Sequence, residues 1–402
     1  MNEDVNNDGH EDYFDPLKPA SQPLDVPSGP LPVREGCWMV GHRNPHSLLQ
    51  CNTYVRLFEK GSRPINVCVD PGSQLDYPVI EANIVQLIGD VGELHSFSIN
   101  HQDPDVIGNS QYLCDANPNI SVMVTEDVWR LAQHLLFKPA RVHFANVARS
   151  EMTIIGDYHR WQLVPTPFCH FRGAMAFYDP ELRTLFTGDL FGGLNRLGRV
   201  QLEAEECDWT GIAQFHQIYM PTREALRYAI RQIKALDPAV EVIAPQHGYV
   251  ITGDLVHAFM ERMYDLLVGH DLLAQELDGT YLEGYRDVIA QLVNRAAETI
   301  GLEEVLDRLK SPEPADGLEQ LISFEGDDVK LQREGYAAVV KVLTRLAYRE
   351  PIEIINSFRS EVLGICSELG LPIPPVGAGV EEAASPETVG PDGIQTQAWW
   401  LK

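Results

Sequence analysis

Four segments of the chain carry side chains that suit metal chemistry. The run Ser96-Phe-Ser-Ile is followed by Asn100-His101-Gln102-Asp103-Pro104-Asp105-Val106. On an extended or turning backbone a His-x-Asp-x-Asp run presents alternate side chains to one side, because the strand period is two residues. Pro104 argues for an extended or turn conformation here and against a regular helix. One imidazole and two carboxylates can then converge, as a pair of metal ions requires. Three further segments each offer one ligand: Pro165-Thr-Pro-Phe-Cys-His170, Thr184-Leu-Phe-Thr-Gly-Asp189 and Val242-Ile-Ala-Pro-Gln-His247-Gly. Each closes a strand pattern, and layered α/β proteins gather ligands at the carboxyl ends of strands. Any one of these histidines alone reads more readily as a surface or hydrogen-bonded residue than as a ligand; the agreement of four placements argues for a site.

The elements that must hold these ligands lie between about 37 and 253. Short β-branched or aromatic runs alternate there with turn signals, as in Ile65-Asn-Val-Cys-Val, Ile120-Ser-Val-Met-Val, Trp161-Gln-Leu-Val, Ala174-Met-Ala-Phe-Tyr and Val240-Glu-Val-Ile-Ala. Helical spacing intervenes at 125–137 and 221–236, the second with Thr222 as a capped start. This order predicts a layered α/β domain over 34–254. Beyond it strand signals largely vanish, and apolar residues fall on helical faces: Leu255, Phe259 and Met263; Val288, Ile289, Leu292, Val293 and Ala296; Ala337, Val340, Val342, Leu343 and Leu346; then a fourth helix over 351–369. A helical C-terminal module is therefore expected over 255–371. Residues 1–33 hold seven acids, one lysine and six prolines and read as an extended arm. Residues 372–402 read as a Pro/Gly/Glu-rich tail in which Trp399-Trp400 is either docked on the fold or presented to a partner.

The 402 residues carry a net charge of −27 with 44% hydrophobic residues. That composition excludes global disorder and argues against nucleic-acid or anionic-membrane surfaces. No apolar run has the length of a transmembrane helix, no signal peptide opens the chain, and seven scattered cysteines do not make a disulfide framework. A soluble, cytoplasmic protein is expected.

The order His-x-[Asp/Glu]-x-Asp, His, Gly-Asp, Pro-x-His-Gly resembles the metallo-β-lactamase fold superfamily, and within it the flavodiiron branch and its oxygen-binding diiron relatives (ODP). The likeness rests on Asn100-His-Gln-Asp-Pro-Asp, Val164-Pro-Thr-Pro-Phe-Cys-His, Leu185-Phe-Thr-Gly-Asp-Leu-Phe-Gly and Ala244-Pro-Gln-His-Gly, with Val69-Asp70-Pro-Gly-Ser as the acid-Gly turn before the first motif. It implies an αββα sandwich. It also implies one metal held by His101, Asp103 and His170, a second held by Asp105 and His247, and Asp189 bridging them. Flavodiiron patterns usually carry Glu where this chain has Asp103, and zinc hydrolases of this fold carry a further histidine where it has Val106, so the second metal is left an open position or a water. Three imidazoles and three carboxylates form a harder set than a histidine-rich zinc site and suit two iron ions, with zinc or manganese as alternatives. Around them Cys169 is a buried thiol or a metal-adjacent one, and Arg172 is a solvated cation or a charge near the site. His216 and Tyr219 fall in Gln214-Phe-His-Gln-Ile-Tyr-Met-Pro, which resembles a family loop bordering the metals.

Flavodiiron reductases carry a flavodoxin-like domain after the metal domain. No Ser/Thr/Gly-rich phosphate loop appears over 255–371, so no FMN is expected in this chain. The resulting expectation is a diiron protein binding O2 or NO, an oxygen or redox sensor or signalling component. The alternatives are an O2 or NO reductase with an external electron donor, or a metal-dependent hydrolase. Expected partners are the gas, an electron-donor or signalling protein and a second copy of the chain; the helical module is either packing or a docking surface.

Overall fold

The computed structural model describes residues 26–61, 63–145, 152–155 (backbone only), 159–272, 281–374 and 376. Trp399-Trp400 and most of the arm and tail lie outside the described residues.

Seven strands form a first sheet in chain order: β1 (Leu31–Arg34), β2 (Cys37–Met39), β3 (Tyr54–Phe58), β4 (Ile65–Val69), β5 (Ser96–Ser98), β6 (Ser121–Val124) and β7 (Arg141–Phe144). The first four pair antiparallel and the last four parallel, so β4 is the switch. β1 takes up the last residues of the segment read as an arm. Six strands form a second sheet: β8 (Met152–Ile155), β9 (His159–Pro165), β10 (Met175–Asp179), β11 (Thr184–Gly188), β12 (Val242–Pro245) and β13 (Ile251–Thr252). All its pairs are antiparallel except β11–β12.

Alternation along the strands explains why the sheets stack. On β4, Ile65, Val67 and Val69 face the inter-sheet core while Cys68 faces away; on β10 and β11, Phe177 and Phe186 face that core while Tyr178 and Leu185 face the other way. Trp161, Phe177 and Phe186 are fully buried there, each contributing about 1.5–3 kcal/mol of apolar burial. The outer face of the first sheet is covered by α1 (Tyr77–Ile88), α3 (Ser110–Ala116) and α4 (Glu126–Ala132), with the one-turn α2 (Pro104–Ile107) beside them. The outer face of the second is covered by α5 (Trp209–Tyr219), α6 (Arg223–Lys234) and α7 (Asp254–Asp265). The result is the expected αββα sandwich.

Beyond Thr252 come α7 and then α8 (Leu282–Ile300), α9 (Leu302–Lys310), α10 (Gly335–Leu346) and α11 (Ile352–Glu368). The buried face of α8 is the expected Val288, Ile289, Leu292, Val293 and Ala296; that of α10 is centred on Ala338, Val339 and Val342, slightly rotated from the expected Ala337 and Val340. These helices share one continuous core with the second sheet, from Tyr178 and Leu226 through Phe259 to Leu292, Val342 and Val362. The region is not wholly helical. Ile322–Glu325 (β14) and Asp328–Leu331 (β15) form a hairpin whose two-residue turn starts at Gly326 with φ 66°, a position where glycine costs nothing. Among the described residues no helix is long and apolar enough to cross a membrane.

Candidate metal centre

The six motif residues meet at one edge of the sandwich. His101 and Asp103 follow β5, His170 lies in the connection from β9 to β10, and Asp189 and His247 follow β11 and β12. Asp105 is reached differently from the sequence expectation. Pro104 does not exclude a helix: Asp103 is the N-cap of α2 and Pro104 enters its first turn. Proline is tolerated there because a first-turn N–H has no intrahelical partner.

Asp189 is the geometric centre. Its Oδ1 lies 3.4 Å from His101 Nε2 and 3.4 Å from His247 Nε2, and its Oδ2 lies 3.1 Å from His170 Nε2. Asp103 Oδ2 is 3.0 Å from His170 Nε2 and 3.8 Å from His101 Nε2, and Asp105 Oδ2 is 3.3 Å from His247 Nε2. The donor atoms of His101, Asp103, His170 and Asp189 all lie within 4.8 Å of one another. Such spacings match the edges of a coordination shell with bonds of roughly 2.0–2.2 Å. Two donors are conspicuous: His101 Nε2 and Asp189 Oδ1 are buried and make no hydrogen bond. Buried polar atoms without hydrogen bonds are expensive, and a shared cation would satisfy both. The donor set therefore fits metal.

Burial opposes ionisation of Asp189, but the charge of His101 and the hydrogen bond from His170 outweigh it and hold the carboxyl below the usual range. Burial likewise opposes the charged form of His170, yet its bonds to Asp103 and Asp189 raise it to about 10. In the protein alone His170 thus serves as a counter-charge to Asp103 and Asp189; a metal would take over that role by displacing its proton.

Neighbouring groups fix the candidate ligands. His247 Nδ1 bonds the Gln50 carbonyl at 2.8 Å, which leaves Nε2 facing Asp189. Asn100 Nδ2 donates to the Phe186 carbonyl at 3.2 Å, and the Asn100 N–H donates to Asp70 Oδ1 at 2.9 Å, which ties the acid-Gly turn and both sheets to the first motif. Gly188, with φ 58°, passes so close to Asn100 that a Cβ would sit 2.8 Å from that residue's Cβ. Glycine is needed at this turn.

The remaining sequence candidates divide. Tyr219 and His216 lie on α5, so the stretch read as a bordering loop is helical. The ring of Phe215, which motif reasoning passes over, lies 4.6 Å from that of Tyr219 and 5.2 Å from that of His247, and the Tyr219 ring is 6.2 Å from His170. These rings wall one side of the cluster. His216 is not available to a metal: Nδ1 bonds the Ile212 carbonyl at 2.7 Å and Nε2 accepts from the Phe191 N–H at 3.0 Å. It holds the turn just after Asp189. Burial keeps it neutral, lowering its pKa to about 4. Cys169 is buried in the apolar core, where burial pushes its thiol to about 12. Arg172 is not at the site; its side chain is 73% exposed and pairs with Asp127 at 3.5 Å. Motif reasoning also passes over Cys51, whose Sγ shares a second cluster with Asp105 and His247. It lies in no motif; the bridge between Cys51 and His247, a long-range pairing, brings it there.

Residues 49–248 match the family described as "ODP family beta lactamase". The chain is 26% identical to the Type A flavoprotein fprA of Rhodobacter capsulatus over 247 residues, 58% of this chain and 55% of that protein. The chain thus spans about half the length of this curated relative. Among solved structures, rubredoxin oxygen:oxidoreductase from Desulfovibrio gigas superposes with a TM-score of 0.53 at 15% identity, covering 67% of this chain and 70% of that one. A fragment (1–254) of putative diflavin flavoprotein A 5 from Nostoc sp. PCC 7120 gives 0.52 at 17% identity, covering 64% and 99%. At these identities the structural likeness speaks for the fold.

Proposed function

Since residues 49–248 belong to the ODP family beta lactamase group, we propose that this chain holds two iron ions in its His/Asp cluster and binds O2 or NO there as a sensor or signalling component. The carrying observation is the position of Asp189 between the two groups: its Oδ1 lies 3.4 Å from His101 Nε2 of the first and 3.4 Å from His247 Nε2 of the second. A carboxylate shared by both groups is what a bridge requires. In this reading His101, Asp103 and His170 hold one ion, Asp105 and His247 the other, and Asp189 both. Held by these residues, two ferrous ions would supply an electron pair and a centre of small positive charge for a diatomic ligand. The protein contributes a wall of Phe215 and Tyr219 that limits water, and a partly exposed side at Asp103 and His170 through which a small molecule enters.

Sensing is favoured over turnover by the C-terminal region of the chain. Among the described residues beyond Thr252 the strands are one antiparallel hairpin, and the helices pack into the same core as the second sheet. α5, which walls the cluster, contacts α11 directly. A change at the cluster thus has a packed route to the C-terminal helices.

The deciding experiment is anaerobic absorption spectroscopy of the reduced protein, with iron and zinc quantified, before and after air or NO. Iron near two per chain and a new visible band are expected. Zinc alone with an unchanged spectrum would sink the reading. Steady gas consumption on adding a reductase and NADH would favour the reductase instead.

A further inference from the structure

The second half of the cluster contains a donor outside the His/Asp motifs. Cys51 Sγ lies 3.6 Å from Asp105 Oδ2, to which the thiol donates, and Asp105 Oδ2 lies 3.3 Å from His247 Nε2. The three donor atoms lie within 4.8 Å of one another, as closely grouped as those of the first cluster. Cys51 is held there by backbone. It bridges His247, the Asn52 N–H donates to the Gln246 carbonyl, and Asn52 Nδ2 donates to the Pro245 and Gly248 carbonyls at 3.0 and 3.2 Å. Gln50, on its other side, takes the Nδ1 bond of His247. The loop carrying the thiol and the turn carrying the imidazole therefore form one unit.

A buried thiol by itself is ordinary, since cysteine often packs as a small apolar residue. Here a second observation points to a ligand. Asp189 is 97% buried, and its Oδ1 makes no hydrogen bond and is turned toward this group, 3.4 Å from His247 Nε2. Cys51, Asp105 and His247 thus group one sulfur, one carboxylate and one nitrogen, and Asp189 Oδ1, between His101 and His247 at 3.4 Å from each, is a fourth donor at the edge of this group. Val106 offers no donor on the neighbouring α2 and is buried in the apolar layer outside the first sheet. The count of four is reached only if the sulfur is included.

We propose that Cys51 is a thiolate ligand of the second metal, making the two halves chemically unlike: nitrogen and oxygen donors around the first ion, and a sulfur added around the second. The proposal rests on the two-metal reading above. On binding, the Sγ–H proton leaves to solvent and an Sγ–metal bond forms in its place, with no change in oxidation state. A soft thiolate shifts the second position toward metals that favour sulfur.

Cobalt(II) titrated anaerobically into the full-length, metal-free chain tests this, because thiolate coordination gives a near-ultraviolet sulfur-to-cobalt band that nitrogen and oxygen donors do not. Wild type should take up two equivalents, with the band growing during only one of them. Cys51→Ala and the near-isosteric Cys51→Ser should lose the band and bind that equivalent about tenfold or more weakly, while the other equivalent stays intact; intact binding also reports that the variants are folded. Cys169→Ala should keep the band. Two equivalents bound without a band, or a band surviving in both Cys51 variants, would overturn the thiolate and leave the two-metal reading standing. Fewer than two equivalents in wild type would overturn both.

Discussion

Gln214 Nε2 donates a 2.7 Å buried hydrogen bond to the carbonyl of Leu363. The helix whose Phe215 and Tyr219 wall the metal cluster is thereby bonded to the last described helix. Replacing Gln214 with Ala removes the donor and should cost about 1–2 kcal/mol, read from urea unfolding, with iron content retained. If α11 answers to the metal site, hydrogen exchange over 352–368 should change on exposure to O2 in wild type and change much less in the variant. Equal responses in both would disconnect this contact from signalling.

Asp189 is the residue on which both halves of the cluster depend. Asp189→Asn keeps the shape and removes the charge, so iron measured by mass spectrometry should fall below half the wild-type content. Asp127→Asn, which alters only the exposed pair with Arg172, should not change it. Full iron loading in the Asp189 variant would refute the bridging role.

His216 predicts a pH dependence of stability. Burial lowers its pKa from 6.5 to about 4. Between those values the unfolded chain binds a proton that the folded chain does not, so stability falls as pH drops through this window and is unaffected above it. The full effect is roughly 3 kcal/mol. The difference in stability between wild type and His216→Gln, followed by urea unfolding from pH 7 to 4, should shrink across the window. A constant difference would mean that His216 is not held neutral.

Gly188→Ala should act on fold and site together. Its φ of 58° and the 2.8 Å approach to Asn100 leave no room for a methyl group. About 1–3 kcal/mol of strain is expected, seen as a lower melting temperature. Metal content should fall as well, because Asn100 and Asp189 flank the turn. A variant with normal melting and normal metal content would remove the glycine argument.

The six candidate ligands are legible in the chain because each stands shortly past a β-branched or aromatic run, with proline or glycine within three residues. Strand alternation and turn chemistry are local properties. The same locality explains where the expectations depart from the structure. Pro104 fits an extended turn and a helix start equally well, and Asp103 as N-cap resolves the choice. The stretch around His216 resembles a loop although Ile212, Phe215 and Tyr219 have helical spacing, and α5 forms where that face meets the second sheet. The hairpin at 322–331 is hidden by the helical patterns on either side.

No local pattern could show that the two oxygens of Asp189 part between different histidines, that His216 spends both ring nitrogens on backbone, or that Arg172 points away. Least of all could it show that Cys51, nearly half the chain away, comes to lie beside His247. Residue types and their spacing along one strand specify which groups can bind a metal. Which of them meet depends on the order and register of strands brought together across two sheets, a long-range property that packing imposes.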